Sequence, residues 1–169
     1  YVPRQILDKK SITAHHQGYI AEAVEFEYSS VEDILANAKS KDELPFIVLL
    51  DGIEDPHNFG AIIRSCECAG VHGIIIPKNR ACQVNETVIR TSTGAIANMP
   101  IAKVTNLKEA IDTLRKNDVW VYVAETGGEN IYKQKLSNRG IAIVIGSEGN
   151  GVKQSLRTYA DGVLTLPLQ

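Results

Sequence analysis

The apolar run Phe46-Ile47-Val48-Leu49-Leu50 constrains this chain more than any other stretch, because it leads directly into a turn and a helix. It reads as a buried strand. A tight Asp55-Pro56 turn comes next, and then a segment in which Phe59, Ile62, Ile63, Cys66 and Ala69 recur at helical spacing and make one apolar face. A strand that ends in a polar turn and leads into an amphipathic helix is the repeating unit of α/β proteins. Such proteins present their chemistry beyond the carboxyl ends of the strands. Asn58 falls in the first turn of the expected helix. Arg64 falls off the apolar face, and Gly60 one turn earlier is expected to leave open space beside its guanidinium, an arrangement suited to phosphate. The plainer alternative pairs Arg64 with Glu67 on a solvated helix face.

The rest of the chain repeats the alternation. Residues 1–19, with Pro3 and Thr13-Ala14-His15-His16-Gln17-Gly18, read as a connector; adjacent histidines point apart, which disfavours a metal site. Tyr19 to Phe26 is expected to form a short strand. Ser30 caps a helix through Val31, Ile34, Leu35 and Ala38, with Asp33 three positions on. Gly70-Val71-His72-Gly73 stops the Asp55 helix, and Ile74-Ile75-Ile76 is a buried strand. Lys78, Arg80 and Arg90 form a basic cluster that is either a solvated loop or a set of phosphate contacts. A helix is expected from Glu86 toward Thr91-Ser92-Thr93-Gly94-Ala95, whose small residues allow close backbone approach. Strands are expected at 101–104, 119–124, 141–145 and 163–166. Helices are expected from Asn106, with Glu109 completing a capping box, and over 152–159. The expected fold is therefore α/β, a mostly parallel sheet with flanking helices. Polar or glycine-rich loops after Leu50, Ala124 and Ile145 gather on one edge of it.

Composition narrows the function. The 169 residues suffice for one domain with a proper core. A net charge of -2 gives no global basic field, so any nucleic-acid site must be a local patch. No apolar run reaches the roughly 18 residues that a membrane span needs, and no secretory signal pattern opens the chain. Cys66, Cys68 and Cys82 lack zinc spacing and read as reduced thiols of a cytoplasmic protein. No ligand set for a metal is evident.

The loop Gly146-Ser147-Glu148-Gly149-Asn150-Gly151 joins a strand to a helix. Its glycines are spaced Gly-x-x-Gly-x-Gly, not the Gly-x-Gly-x-x-Gly of a dinucleotide site, and Val152 stands where a P-loop needs Lys. A nucleotide-dependent oxidoreductase fails on that spacing. Glu148 would repel a phosphate cradled there. The loop suits a ligand with a positive centre or donor groups, or an ion pair with an arginine.

Taken together, Asp55-Pro56-x-Asn58-x-Gly60-x-Ile62-x-Arg64-Ser65 and Ile145-Gly146-Ser147-Glu148-Gly149-x-Gly151 resemble the first two motifs of the SpoU-type RNA ribose 2'-O-methyltransferases of the SPOUT superfamily. Leu166-Pro167 resembles the start of the third. The resemblance runs from Phe46 to Gln169. It implies an α/β trefoil-knot methyltransferase domain over residues 20–169, with the C-terminal end of the knot beyond this chain. Residues 1–19 become a linker from an N-terminal RNA-binding domain, and His16-Gln17-Gly18 resembles that linker in the ribosomal-RNA branch of the family.

What the resemblance implies chemically is methyl transfer from S-adenosyl-L-methionine to a ribose 2'-hydroxyl of RNA by a homodimer that completes each site. Ribosomal RNA, with guanosine as the target, is favoured over tRNA. Residue by residue it implies Asn58, Arg64 and Glu148 as catalytic, and Gly146 and Leu166 as cofactor-binding; Ile145 and Thr126 are added as neighbours on adjoining strand ends. The alternatives are a tRNA ribose 2'-O-methyltransferase and a non-catalytic RNA- or adenosine-binding module of the same fold. No metal and no membrane are expected as partners.

Overall fold

The computed structural model describes residues 1–11, 16, 18–20, 26–134, 136 and 138–167. Helix α1 (Arg4–Lys10) buries none of its residues. Beyond it, His16 Nε2 lies 2.9 Å from Asp8 Oδ1, and the Gly18 N–H donates to His16 Nδ1. His15 and most of the strand expected at 19–26 lie outside the described residues; Tyr19, Ile20 and Phe26 are not in a strand.

The domain proper starts with α2 (Val31–Ser40). The Ser30 side chain accepts from the Asp33 N–H while the Asp33 carboxylate accepts from the Ser30 N–H, so the expected capping box forms. The chain continues through β1 (Phe46–Asp51), α3 (Pro56–Cys68), β2 (Gly73–Pro77), α4 (Glu86–Thr91), β3 (Ile101–Val104) and α5 (Leu107–Lys116). It ends with β4 (Val119–Asn130), β5 (Gly140–Gly146), α6 (Gln154–Arg157) and β6 (Gly162–Thr165). The six strands form one sheet, order β3-β2-β1-β5-β4-β6, with every pairing parallel.

Burial explains which apolar runs became central strands. In β1, Ile47 and Leu49 pack on one face with Ile34, Ile111 and Leu114 from α2 and α5. Val48 and Leu50 pack on the other with Phe59 and Ile63 from α3. A strand covered on both faces has no polar side to show, hence the unbroken run. In β4 and β5 only one face is deeply buried, through Val119, Val121, Val123, Ala142 and Val144. Trp120 remains 41% exposed on the other face, because the layer built by α3 and α4 stops at β1.

Four local expectations change. Asn106 does cap α5, but its side chain accepts from the Lys108 N–H, and Glu109 takes the Asn106 amide rather than its backbone N–H. The segment 125–128, expected as a loop, belongs to β4: Leu164 of β6 is paired with both Ala124 and Glu129, so the residues between bulge out. The helix expected over 152–159 is only α6: Lys153, with ψ of 135° and its N–H held by Asp51, is the N-cap rather than an interior residue. The last strand ends at Thr165, leaving Leu166 outside it.

Candidate functional site

The route of the chain creates a crevice. From β1 it steps outward through β2 to β3, whereas β5 lies on the opposite side of β1. The gap between the carboxyl ends of β1 and β5, where Asp51 pairs with Gly146, is where parallel α/β sheets bind ligands. Both motif stretches start there.

Helix α3 starts cleanly. Asp55 Oδ1 accepts from the His57 N–H at 3.0 Å, and Pro56 occupies the first helical position, where no N–H is needed. Phe59, Ile63 and Cys66 then anchor the helix in the core. Its adjacent face, Asn58, Ala61, Ile62, Ser65 and Ala69, walls a groove of about 600 Å³. The floor is Phe46 and Val48 of β1 with Ile143 and Ile145 of β5; Gly146, Ser147 and Glu148 close its end. Asn58, Ile145, Gly146 and Glu148 are thus brought together. Cys66 also faces this groove, and burial pushes its thiol up to about 11.

Arg64 is not brought to them. It is exposed, lines neither the groove nor the neighbouring cavity, and makes no ion pair with Glu67. Six residues along a helix leave it about 120° around α3 from Asn58. Gly60 does not clear space for it either. A Cβ at Gly60 would lie 1.9 Å from Thr91 Oγ1, so the missing side chain serves the packing of α3 against α4. The expectation of an open pocket between Gly60 and Arg64 is corrected accordingly.

The glycine loop is shaped by its own closure. A Cβ on Gly146 would sit 2.1 Å from the carbonyl carbon of Gly151, and the Gly151 N–H donates to the Ser147 carbonyl at 2.9 Å. Gly149 and Gly151 take φ of +89° and +63°, which their lack of a side chain permits. The turn leaves Glu148 exposed on the rim of two cavities, the groove and a cleft of about 430 Å³ that also contains Arg80.

Of the remaining sequence candidates, Thr126 lies in the β4 bulge and Leu166 comes just after β6, on the two strands next to the β5 that ends in Ile145-Gly146; neither lines the groove or the cleft. Thr165 fixes the bulge: its hydroxyl accepts from the Gly128 N–H at 2.7 Å and donates to the Glu125 carbonyl at 2.5 Å. Thr126 is exposed and Leu166 is 64% exposed, so an apolar surface and backbone groups are both offered to a ligand.

Sequence reading missed two working parts. One is Asp51, 2% exposed, whose carboxylate accepts from the Lys153 N–H at 2.9 Å and pairs with Lys153 Nζ at 2.5 Å. Its signal was a charged residue at the end of an apolar run. The other is Thr165, whose signal was the Gly127-Gly128 pair that its bonds serve. Among the described residues no group of three metal-ligating side chains occurs, and no helix is long and apolar enough to cross a membrane.

Fold and crevice define a parallel α/β domain that offers an Asn, a Glu and a glycine-rich turn to a ligand at a sheet switch point. Comparison with known proteins gives the lineage. Residues 45–169 match the SpoU rRNA Methylase family, and the chain belongs to that family. A Bacillus subtilis protein named as a TrmH family tRNA/rRNA methyltransferase, YacO, is 39% identical over 168 residues, covering 99% of this chain and 67% of its own. An rRNA methyltransferase from Sinorhizobium meliloti, solved with AdoMet bound, superposes with a TM-score of 0.72 at 25% identity over 86% of this chain. The SpoU methyltransferase AviRb from Streptomyces viridochromogenes, also in complex with AdoMet, gives 0.68 at 25% identity over 75%. The chain spans about half the length of these two solved proteins, 54% and 50%.

Proposed function

We propose that this protein methylates a ribose 2'-hydroxyl of RNA using S-adenosylmethionine, with a guanosine of large-subunit ribosomal RNA as the target. The observation that carries this reading is the meeting of Asn58 with Ile145, Gly146 and Glu148 in one groove, in a chain of the SpoU family. The preference for ribosomal RNA rests on the resemblance of His16-Gln17-Gly18 to the ribosomal-branch linker.

The residues present fit the cofactor. Thr126, Gly146, Ile145 and Leu166 would hold it, with the exposed Leu166 against an adenine face and the bulge held by Thr165 offering its backbone. Carboxylates nearby, Glu148 foremost, complement a cation. When bound, S-adenosylmethionine supplies an electrophilic methyl on a sulfonium centre.

The protein's own work falls to three side chains. A guanidinium is a donor and not a base, so Arg64 grips the phosphate beside the target ribose and stabilises the negative charge that develops on the 2'-oxygen as the hydroxyl proton passes to solvent water. Asn58 orients the ribose, and Glu148 accepts from it or from the arginine. Because Arg64 faces away from the groove of its own chain, the proposal includes a homodimer in which Arg64 of one copy serves the groove of the other. A trefoil knot, as in the family, completes the cofactor site.

The test is transfer of labelled methyl from S-adenosylmethionine to separated ribosomal and transfer RNA pools, with digestion of the RNA to nucleosides. Label in 2'-O-methylguanosine from ribosomal RNA, lost in Arg64→Ala, is the expected result. Label on a base, or in transfer RNA alone, overturns the corresponding part. Cofactor binding with no transfer to either pool favours a binding module.

A further inference from the structure

Three depressions meet at the carboxyl edge of the sheet. The groove, over β1 and β5, shares Ser147 and Glu148 with the cleft of about 430 Å³. That cleft shares Asp51 and Lys153 with a smaller one of about 190 Å³, which reaches the ends of β2 and β3. Compact small molecules use one cavity; depressions joined by common walls suit a polymer.

The walls suit one polymer in particular. Arg80 lines the middle cleft, exposed and with its backbone at φ +55°, and no ion pair or hydrogen bond is seen for it among the described residues. Lys108 lines the small cleft, its ammonium 5.2 Å above the Tyr159 ring. The same two clefts are lined by Asn79, Asn106, Ser147, Asn150 and Ser155, the residue types that bind phosphate and sugar oxygens. Three carboxylates lie in these depressions. Asp51 is satisfied by Lys153. Glu54 and Glu148 in the middle cleft would repel a phosphate but accept from ribose hydroxyls and base N–H groups. A chain with alternating phosphates, hydroxyls and base edges answers all of these.

We propose that this trench carries the single-stranded RNA flanking the methylated nucleotide, with backbone phosphates on Arg80 and Lys108 and the sugar or base edge toward Glu54. The proposal deepens the RNA methyltransferase reading and rests on it. Neither Arg80 nor Lys108 touches the reacting atoms; they position the substrate.

The experiment uses the full-length protein and its RNA substrate cut to a single-stranded fragment around the modified site. RNA affinity is measured against salt for the wild type, for Arg80→Ala/Lys108→Ala, and for Lys39→Ala, a charge loss in a separate cavity at the amino edge of the sheet. Expected is a rise of about tenfold in RNA Kd for the double variant, with a salt slope shallower by about 1.4 for two lost single-strand phosphates. Its S-adenosylmethionine affinity and its melting temperature should match the wild type, and KM for RNA should rise far more than kcat falls. An unchanged slope, or an equal effect of Lys39→Ala, overturns the trench while leaving the enzyme reading standing. Equally tight binding of the fully paired duplex overturns the single-stranded assignment. Failure of the wild type to bind or methylate any RNA sinks both.

Discussion

Asp51 and Lys153 are 102 positions apart in sequence, yet one carboxylate holds both the backbone N–H and the ammonium of the lysine. The contact ties the end of β1 to the end of the glycine loop, and so sets where Glu148 stands. Asp51 is almost fully buried while the Lys153 side chain is half exposed, 1% against 51%. Removing the acid therefore leaves a part-buried N–H unpaired but a lysine that can reach water. Asp51→Ala should cost about 2 kcal/mol, below the usual loss for breaking a fully buried pair. Asp51→Asn, which keeps an acceptor for the N–H, should cost less. Urea unfolding of the three proteins measures this; equal stability of wild type and Asp51→Ala would remove the clamp.

Gly60 yields a second prediction, because helix propensity and packing oppose each other there. Alanine in mid-helix normally gains about 1 kcal/mol over glycine. Here its Cβ would meet Thr91 Oγ1 at 1.9 Å and Thr91 Cβ at 2.8 Å, so α3 and α4 must separate. Gly60→Ala should destabilise by about 1–3 kcal/mol, the usual range for overpacking. Thr91→Ala should relieve part of that, since the nearest clash is with the hydroxyl. A double-mutant cycle on thermal melts decides it, and simple additivity would mean the two helices do not meet as described.

The thiols offer a third. Burial drives the Cys66 thiol up to about 11, whereas Cys68, two positions on, is exposed. The thiolate is the reactive form, so Cys68 should label within minutes at pH 8. Cys66 should resist until pH nears 11 or the chain unfolds. Stability moves with the same sign: an acid whose pKa is raised on folding costs the folded state once the unfolded thiol ionises, so Cys66 lowers stability as pH rises from about 9 to about 11. Mass spectrometry of time-resolved alkylation reads the first effect. Fast labelling of Cys66 at pH 8 would show the groove wall to be open.

Thr165 tests the cofactor assignment. Its hydroxyl makes the two bonds that hold the β4 bulge. Thr165→Val keeps the shape and strand propensity while removing both. S-adenosylmethionine affinity should fall about tenfold, the loss of one or two hydrogen bonds' worth of ordering, with little change in melting temperature. Thr165→Ser should restore it. Calorimetric titration gives the answer, and wild-type affinity in Thr165→Val would move the cofactor away from the bulge.

These sites show which parts of the molecule are legible in its sequence. β1 is, since Ile47 to Leu50 are buried on both faces and the run needs no partner to be recognised. The Ser30–Asp33 box is, because its bonds span three residues. Asn58 and Glu148 can be nominated because each sits just beyond a strand. The features that escape are set by distant partners. The azimuth of Arg64 depends on α4 packing beneath Gly60, the start of α6 on Asp51, and the extension of β4 on a second register with β6. Periodicity reports which face of a helix is apolar, and not which neighbour lies beside its polar face.

Arg64 lies on such a polar face, and its neighbour there can be tested. If each groove takes its arginine from the other copy, two inactive variants should rescue one another. Arg64→Ala lacks the guanidinium and Glu148→Gln lacks the carboxylate, so each homodimer is inactive at both sites. In a mixed dimer one groove combines the intact Glu148 of one copy with the intact Arg64 of the other, and the second groove collects both lesions. Random exchange gives mixed dimers in half of the population, each with one working site, so activity should return to about a quarter of wild type. If Arg64 serves its own chain, every groove in the mixture carries one lesion and nothing returns. Co-refolding the two variants in equal amounts and measuring methyl transfer separates the outcomes. Native mass spectrometry of copies carrying tags of different mass confirms that mixed dimers formed.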